Sequence, residues 1–94
     1  MNVLVIPSSI REINTHAFKS CHDLQRIEID SNNIKIGTAC FAECTNLSNV
    51  YISEGIKMLP ELLFNGCSSL KEFYFPASIT YIMQNTFEGC PFNN

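Results

Sequence analysis

The chain has 94 residues, a formal net charge of -3, 46% hydrophobic residues and 16% charged residues. This balance is typical of one globular domain, here residues 1–94, and not of a disordered segment. The acidic charge argues against a nucleic-acid partner, because phosphate binding needs a basic surface. No apolar run approaches the roughly 18 residues of a bilayer-spanning helix, so membrane insertion is not expected.

A 23-residue period runs through the whole sequence. Cysteines recur at this spacing, and phenylalanines recur three residues before them; the two columns are Cys21, Cys44, Cys67 and Cys90, and Phe18, Phe41, Phe64 and Phe87. Several aliphatic columns keep the same register without insertion. Such a period is typical of solenoids, in which each coil buries its apolar edge only against the next coil. We therefore predict four coils, residues 1–23, 24–46, 47–69 and 70–92.

Each predicted coil begins with a strand. Its motif is Leu-x-x-apolar-x-apolar, as in residues 24–29 and 47–52. The last two apolar positions are separated by one outward residue, which is the period of a β-strand. Equivalent strands of successive coils should therefore stack as a parallel ladder, about 4.8 Å apart.

A turn and a second apolar pair follow each strand. Residues 76–78 are typical turn chemistry, and Ile56 and Leu59 are one such apolar pair. In the second coil Asn33 occupies the first apolar position and Ile34 comes one place late, which predicts a local distortion. Each coil then closes through a segment whose phenylalanine and cysteine lie three residues apart. That spacing predicts a short helical or 3₁₀ turn.

The repeat resembles a known family. Residues 6–29 read Ile-Pro-Ser-Ser-Ile-x-x-Ile-x-x-x-Ala-Phe-x-x-Cys-x-x-Leu-x-x-Ile-x-Ile, and residues 75–82 repeat the opening. This motif is similar to the BspA-like class of leucine-rich repeats over essentially the whole chain. The resemblance implies an α/β leucine-rich-repeat solenoid with a parallel strand ladder on its concave face and helical or 3₁₀ turns on its convex side.

The resemblance also implies a function and a location. Many BspA-like proteins are surface or secreted adhesion proteins, so a protein partner, such as a host or matrix protein, is expected. The N-terminus lacks the basic region and apolar stretch of a signal peptide. Because adhesins of this type usually carry many more repeats, we expect a fragment or a very short member of the family.

The outward strand positions are candidates for partner binding. In the third and fourth coils the residue between the two apolar columns is Tyr51 and Tyr74. The core does not need these tyrosines, and tyrosine is enriched at interfaces. We predict a partner-binding patch centred on this pair, with Arg26, Glu28 and Asp30 around it. The alternative is a row of cross-strand pairs that only stabilises the ladder.

The cysteines allow disulfide, metal and packing interpretations. Four of them share one column and one environment, which favours buried free thiols packed between coils. Cys40 and Cys44 have a zinc-like spacing, but no second ligand pair accompanies them. His16 and His22 flank Cys21, and a Cys/His nucleophile pair is disfavoured because this cysteine belongs to the core column. We predict no catalytic site, no metal and no cofactor.

Neither end carries a recognisable polar cap. Met1, Leu4 and Ile6 would leave one end apolar, and the tail at residues 91–94 departs from the repeat. Bare parallel edges favour association. We therefore predict homo-oligomers through the ends, or burial of the ends against neighbouring repeats. The two competing functions are a protein-binding adhesion module and a structural unit that assembles through its ends.

Overall fold

The computed structural model describes residues 2–74 and 76–91. Met1, Phe75 and the tail from Phe92 lie outside these residues. The described residues form eight short strands, namely β1 (Val3–Ile6), β2 (Glu12–Ile13), β3 (Arg26–Ile29), β4 (Lys35–Ile36), β5 (Asn49–Ile52), β6 (Met58–Leu59), β7 (Glu72–Tyr74) and β8 (Tyr81–Ile82).

The odd-numbered strands form one parallel sheet in the order β1-β3-β5-β7. Its register places each residue beside its equivalent one repeat away, as in Ile27 beside Val50 and Val50 beside Phe73. The chain thus winds as a parallel β-solenoid, and it completes about three turns between β1 and β7. The four complete coils of the prediction are not confirmed, because the last coil runs past the described residues.

The core lies between this sheet and the far side of each coil. Ile27, Ile29 and Ile52 of the main sheet are fully buried. Opposite them the phenylalanine column forms a continuous stack, with ring centroids 5.5 Å apart for Phe18 and Phe41 and 5.8 Å apart for Phe41 and Phe64. The predicted phenylalanine column therefore packs the coils against one another, because each ring covers the face of the next one.

The convex segments are runs of turns. The prediction of a helical or 3₁₀ turn is not confirmed, because residues 2–74 and 76–91 contain no helix. The reason lies in the backbone: two columns adopt positive φ, one comprising His16, Ala39, Leu62 and Asn85 and the other Ser20, Glu43, Gly66 and Gly89. A right-handed helix cannot pass through left-handed residues.

Hydrogen bonds between coils explain this convex conformation. Phe18 N–H donates to Cys40 O at 2.9 Å and Ser20 N–H donates to Ala42 O at 2.8 Å, both in the next coil. The intervening amide of Lys19 donates within its own turn, to His16 O at 3.2 Å. Successive amides therefore alternate between carbonyls of the neighbouring coil and carbonyls of their own turn. In a helix all of them would bond along the helix axis.

The cysteine column is integrated into the same backbone network. Cys44, Cys67 and Cys90 are buried, and Cys21 is half-buried at the first coil. Each buried thiol donates to a phenylalanine carbonyl of the preceding coil, with Cys44 Sγ 3.3 Å from Phe18 O and Cys67 Sγ 3.2 Å from Phe41 O. The free-thiol packing interpretation agrees with this geometry. Cys40 is also fully buried.

The even-numbered strands form two separate pairs. β2 pairs with β4 and β6 pairs with β8, but within residues 2–74 and 76–91 β4 and β6 belong to different sheets. The interruption lies between the second and third coils, next to Asn33 and Ile34. An irregularity is therefore present close to the predicted distortion, although β4 itself pairs with β2 in register.

Candidate binding surface

The outward side of the main sheet carries the predicted patch. We call it the sheet face and define it by the outward side chains of β1, β3, β5 and β7. Exposure alternates along these strands; in β3, Ile27 and Ile29 are buried while Arg26 and Glu28 are partly exposed. Because the strands pair in register, every outward position forms a row across the sheet.

Tyr51 and Tyr74 are neighbours in one such row. Their rings stack with centroids 5.3 Å apart and planes inclined by 25°. Both remain accessible, with 40% of Tyr51 and 50% of Tyr74 exposed. The predicted pair is therefore both packed and exposed, a combination suited to contact with a partner.

Glu54 holds the outer tyrosine from the adjacent turn. Tyr74 Oη donates to Glu54 Oε2 at 3.5 Å, a long hydrogen bond. The same carboxylate accepts the backbone amides of Ala77 at 3.1 Å and Ser78 at 3.3 Å. Glu54 thus joins the turn after β5 to the turn after β7, and it limits the directions that the Tyr74 ring can adopt.

Arg26 and Glu28 form an ion pair along β3. Arg26 Nε lies 2.7 Å from Glu28 Oε2. The two residues are two apart in one strand, so their side chains project from the same side of the sheet. Both are partly solvated, and such surface pairs contribute little to stability. The pair instead orients the guanidinium beside the tyrosines.

An open hollow of about 490 Å³ lies next to the tyrosine pair, lined by Arg26, Asn49, Val50, Tyr51, Lys71, Glu72, Phe73 and Tyr74. Three predicted residues, Arg26, Tyr51 and Tyr74, are thus brought to one place. The site prediction omitted Asn49, Lys71 and Glu72. Asn49 and Glu72 occupy the same row as Arg26, which was a usable signal, and Asn49 Nδ2 donates to Glu72 Oε1.

Asp30 lies apart from this hollow. It lines a second open depression of about 380 Å³, together with Ser8, Asn32, Ser53 and Glu54. Ser53 Oγ is buried there and has no hydrogen-bond partner among the described residues. Asp30 follows the last residue of β3, whereas Arg26 is its first, so the length of the strand separates the two residues.

Burial opposes ionisation of two buried cysteines, Cys40 and Cys90. It raises the pKa of the Cys40 thiol to about 12. It also raises the pKa of Cys90, to about 11. A thiol is a nucleophile or metal ligand only as the thiolate, so these groups are unreactive near neutral pH. Among the described residues no group of three or more histidine, cysteine or acidic side chains could hold a metal ion. No helix in this part of the chain is long and apolar enough to cross a bilayer.

The repeat geometry agrees with a comparison against protein families. The family model for the BspA type leucine rich repeat region matches residues 1–94, with six copies. This chain belongs to the BspA-type leucine-rich repeat family. The predicted resemblance is confirmed. The in-register parallel ladder and the stacked phenylalanines described above are the structural form of that repeat.

A similar solved structure comes from Faecalibacterium prausnitzii A2-165. It is the crystal structure of a leucine rich cell surface protein, to which this chain is similar with 37% sequence identity and a TM-score of 0.87. The match covers 96% of this chain and 24% of that one. The chain thus spans about a quarter of the length of that protein. No match was found among curated proteins.

Proposed function

We propose that this BspA-type domain binds a protein partner through its sheet face. The observation that carries the proposal is the exposed, stacked pair of Tyr51 and Tyr74 beside an open hollow. Rigid aromatic side chains dominate many binding energies, because they bury a large area at a small cost in conformational entropy. Stacking within the ladder already restricts both rings before any partner arrives.

The charges around the pair favour a polar rim. Arg26 and Lys71 supply cations, and Glu72 supplies a carboxylate at the same hollow. An apolar centre with mixed charges at its margin is the usual anatomy of a protein interface. Glu28 contributes by orienting Arg26. Asp30 would contact only a partner that extends beyond the hollow to the second depression.

We place this binding function in a cell-surface or secreted protein. The support is the similar solved protein, which is described as a leucine rich cell surface protein. An adhesion role is the finer form of the proposal, with a host or matrix protein as partner. Binding rather than catalysis is proposed, because the polar groups of the sheet face are exposed and do not converge on an enclosed pocket.

A selection experiment tests the sheet face with peptides in place of the natural partner. Random peptides displayed on phage are selected against the chain, and each enriched peptide is then measured against Tyr51→Ser/Tyr74→Ser. We expect affinity to fall by about 10-fold or more, which is typical of losing interface aromatic residues. Tyr81→Ser is the matched control, since Tyr81 is exposed outside the main sheet. Peptides that bind the double variant as tightly as the unchanged chain, but bind Tyr81→Ser more weakly, would reject the proposal.

The second candidate is a structural unit that assembles through its ends. β1 and β7 are the outer strands of the sheet, and Val3 and Val5 of β1 are exposed. An exposed apolar edge strand favours pairing with another chain. Light scattering over a range of concentrations tests this candidate. We expect the unchanged chain to form oligomers and Val5→Lys to remain monomeric. A monomeric unchanged chain at every concentration would exclude this candidate.

A further inference from the structure

The even-numbered strands form a second ladder, which is interrupted only between β4 and β6 among the described residues. On one side of the interruption Lys35 N–H donates to Arg11 O at 2.9 Å, and on the other Tyr81 N–H donates to Lys57 O at 3.3 Å. The equivalent bond between them would run from Met58 N–H to Ile34 O. No such bond is present among the described residues, where β4 and β6 are in different sheets.

Pro60 is one cause of the interruption. It occupies the repeat position of Gly37 and Met83, whose amides donate to Ile13 O at 2.8 Å and to Leu59 O at 3.0 Å. Proline has no N–H, so it cannot make the corresponding bond to Ile36 O. One ladder bond between the second and third coils is therefore removed by the amino-acid type itself.

Gly37 is the other cause, because it brings the second coil against the first. A Cβ at Gly37 would lie 2.3 Å from Thr15 N, so only glycine permits this approach. The consequence is visible in the exposure of Ile36, the residue before Gly37. Ile36 remains partly exposed although it lies in an inner coil, whereas its equivalents Ile13 and Leu59 are 6% and 0% exposed.

The coils stay bonded on both sides of the interruption. In the main sheet Ser53 N–H donates to Ile29 O at 2.9 Å, and on the convex side Ala39 N–H donates to Glu61 O at 3.1 Å. The opening between β4 and β6 is therefore a fixed recess and not a separation of coils. We call it the notch.

The notch has an apolar floor and a cationic rim. Its volume is about 430 Å³; Ile34, Ile36, Ile56 and Met58 supply its floor, and Lys35 and Lys57 supply its charge. None of its described lining residues carries a carboxylate, in a chain of net charge -3. Glu12 is the cross-strand neighbour of Lys35, but the two form no ion pair within 4.0 Å among the described residues.

We infer that the notch binds an extended acidic segment of a partner protein. One apolar side chain of that segment lies over Ile36 and Met58, and carboxylates on either side of it face Lys35 and Lys57. The charge of the rim selects the acidic segment, because opposite charges attract across a partly desolvated surface. The apolar floor requires an aliphatic or aromatic side chain as well, so a bare anion is a poor ligand. This site is independent of the sheet face.

Labelled hexapeptides test the site by fluorescence anisotropy. The probe is Asp-Glu-Leu-Phe-Glu-Asp; one control peptide replaces its two apolar residues by serine, and another replaces its four acidic residues by lysine. We expect the acidic apolar probe to bind at least about 10-fold more tightly than either control. Equal affinity for the probe and its serine form, or tighter binding of the lysine form, would overturn the proposal.

Charge-matched variants distinguish binding in the notch from non-specific electrostatic attraction. Lys35→Glu and Lys57→Glu, made singly, should each weaken the probe by about fivefold or more, while Lys19→Glu, which changes the net charge equally, should leave it within about twofold. A loss in Lys19→Glu equal to the losses in the two notch variants would refute a specific site. Pro60→Met provides a second arm, because it restores an amide opposite Ile36 O and should close the notch. Loss of probe binding without a fall in the melting temperature supports the proposal, and full retention contradicts it.

Discussion

The ring of Tyr51 stacks on the ring of Tyr74 at a centroid distance of 5.3 Å, because β5 and β7 pair in register and place both residues in one row. The stack is part of the ladder, yet it remains exposed. Its contribution to folding and its contribution to binding must therefore be measured separately.

Stability measurements isolate the folding contribution of the tyrosine pair. A double-mutant cycle of Tyr51→Ser and Tyr74→Ser, followed by urea unfolding, should give a coupling free energy of about 0.5–1 kcal/mol, as expected for an aromatic cross-strand pair. A cycle of Tyr51→Ser with Tyr81→Ser is the control and should be additive, because Tyr81 belongs to another sheet. Zero coupling in the first cycle would show that the stacked rings do not stabilise the fold.

The phenylalanine column should be most sensitive in the inner coils. Phe41 is fully buried and stacks on both Phe18 and Phe64. We expect Phe41→Ala to lower the free energy of unfolding by about 3–5 kcal/mol, since a cavity remains between coils. Phe18→Ala should cost less, because Phe18 is only half-buried. Chemical denaturation checks the order, and a larger loss for Phe18→Ala would contradict it.

The buried thiols predict a loss of stability at high pH. Burial raises the pKa of Cys40 to about 12 and that of Cys90 to about 11. An unfolded cysteine titrates near about 8.5, so above that pH the unfolded chain releases protons that the folded chain retains. Stability is fully present below about pH 8.5 and falls above it, by up to about 1.4 kcal/mol per pH unit for each thiol.

Urea unfolding between pH 8 and pH 11 measures this slope. Cys40→Ala is the matched variant, because Ala17 occupies the same repeat position and alanine therefore fits the coil. Its free energy of unfolding should fall less steeply with pH than that of the unchanged chain. Identical slopes would show that the Cys40 thiol does not account for the alkaline loss.

The two columns of positive φ predict substitutions that change stability in opposite directions. His16 has φ of 62° and an exposed side chain, so His16→Gly should stabilise the chain by about 0.5–1 kcal/mol through relief of backbone strain. Gly66 has φ of 79°, and a Cβ there would lie 3.2 Å from Glu43 Cγ, so Gly66→Ala should destabilise it. Thr15→Gly is the control, where added chain entropy should lower stability. Thermal unfolding reports all three; destabilisation by His16→Gly would refute the strain argument.

Several features of the fold and of the site could be predicted from residue spacing. The columns of phenylalanine, cysteine and strand residues indicated the parallel register, and the tyrosine row followed from strand alternation. Asn33 and Ile34 indicated a distortion in the second coil. The row of Arg26, Asn49 and Glu72 follows from the same register, whereas the position of Lys71 at the hollow could not be predicted in this way, because Lys71 lies before the start of β7.

The sequence by itself determined which residues lie beside one another, because a chain that repeats its path every 23 residues brings equivalent positions into contact. Tertiary structure decided the conformation of the convex segments. A phenylalanine and a cysteine three apart are compatible with a helical turn, but amides such as Phe18 N–H bond to the next coil instead. It also decided that Gly37 and Pro60 open a notch, since that depends on the distances between coils and not on the properties of either residue alone.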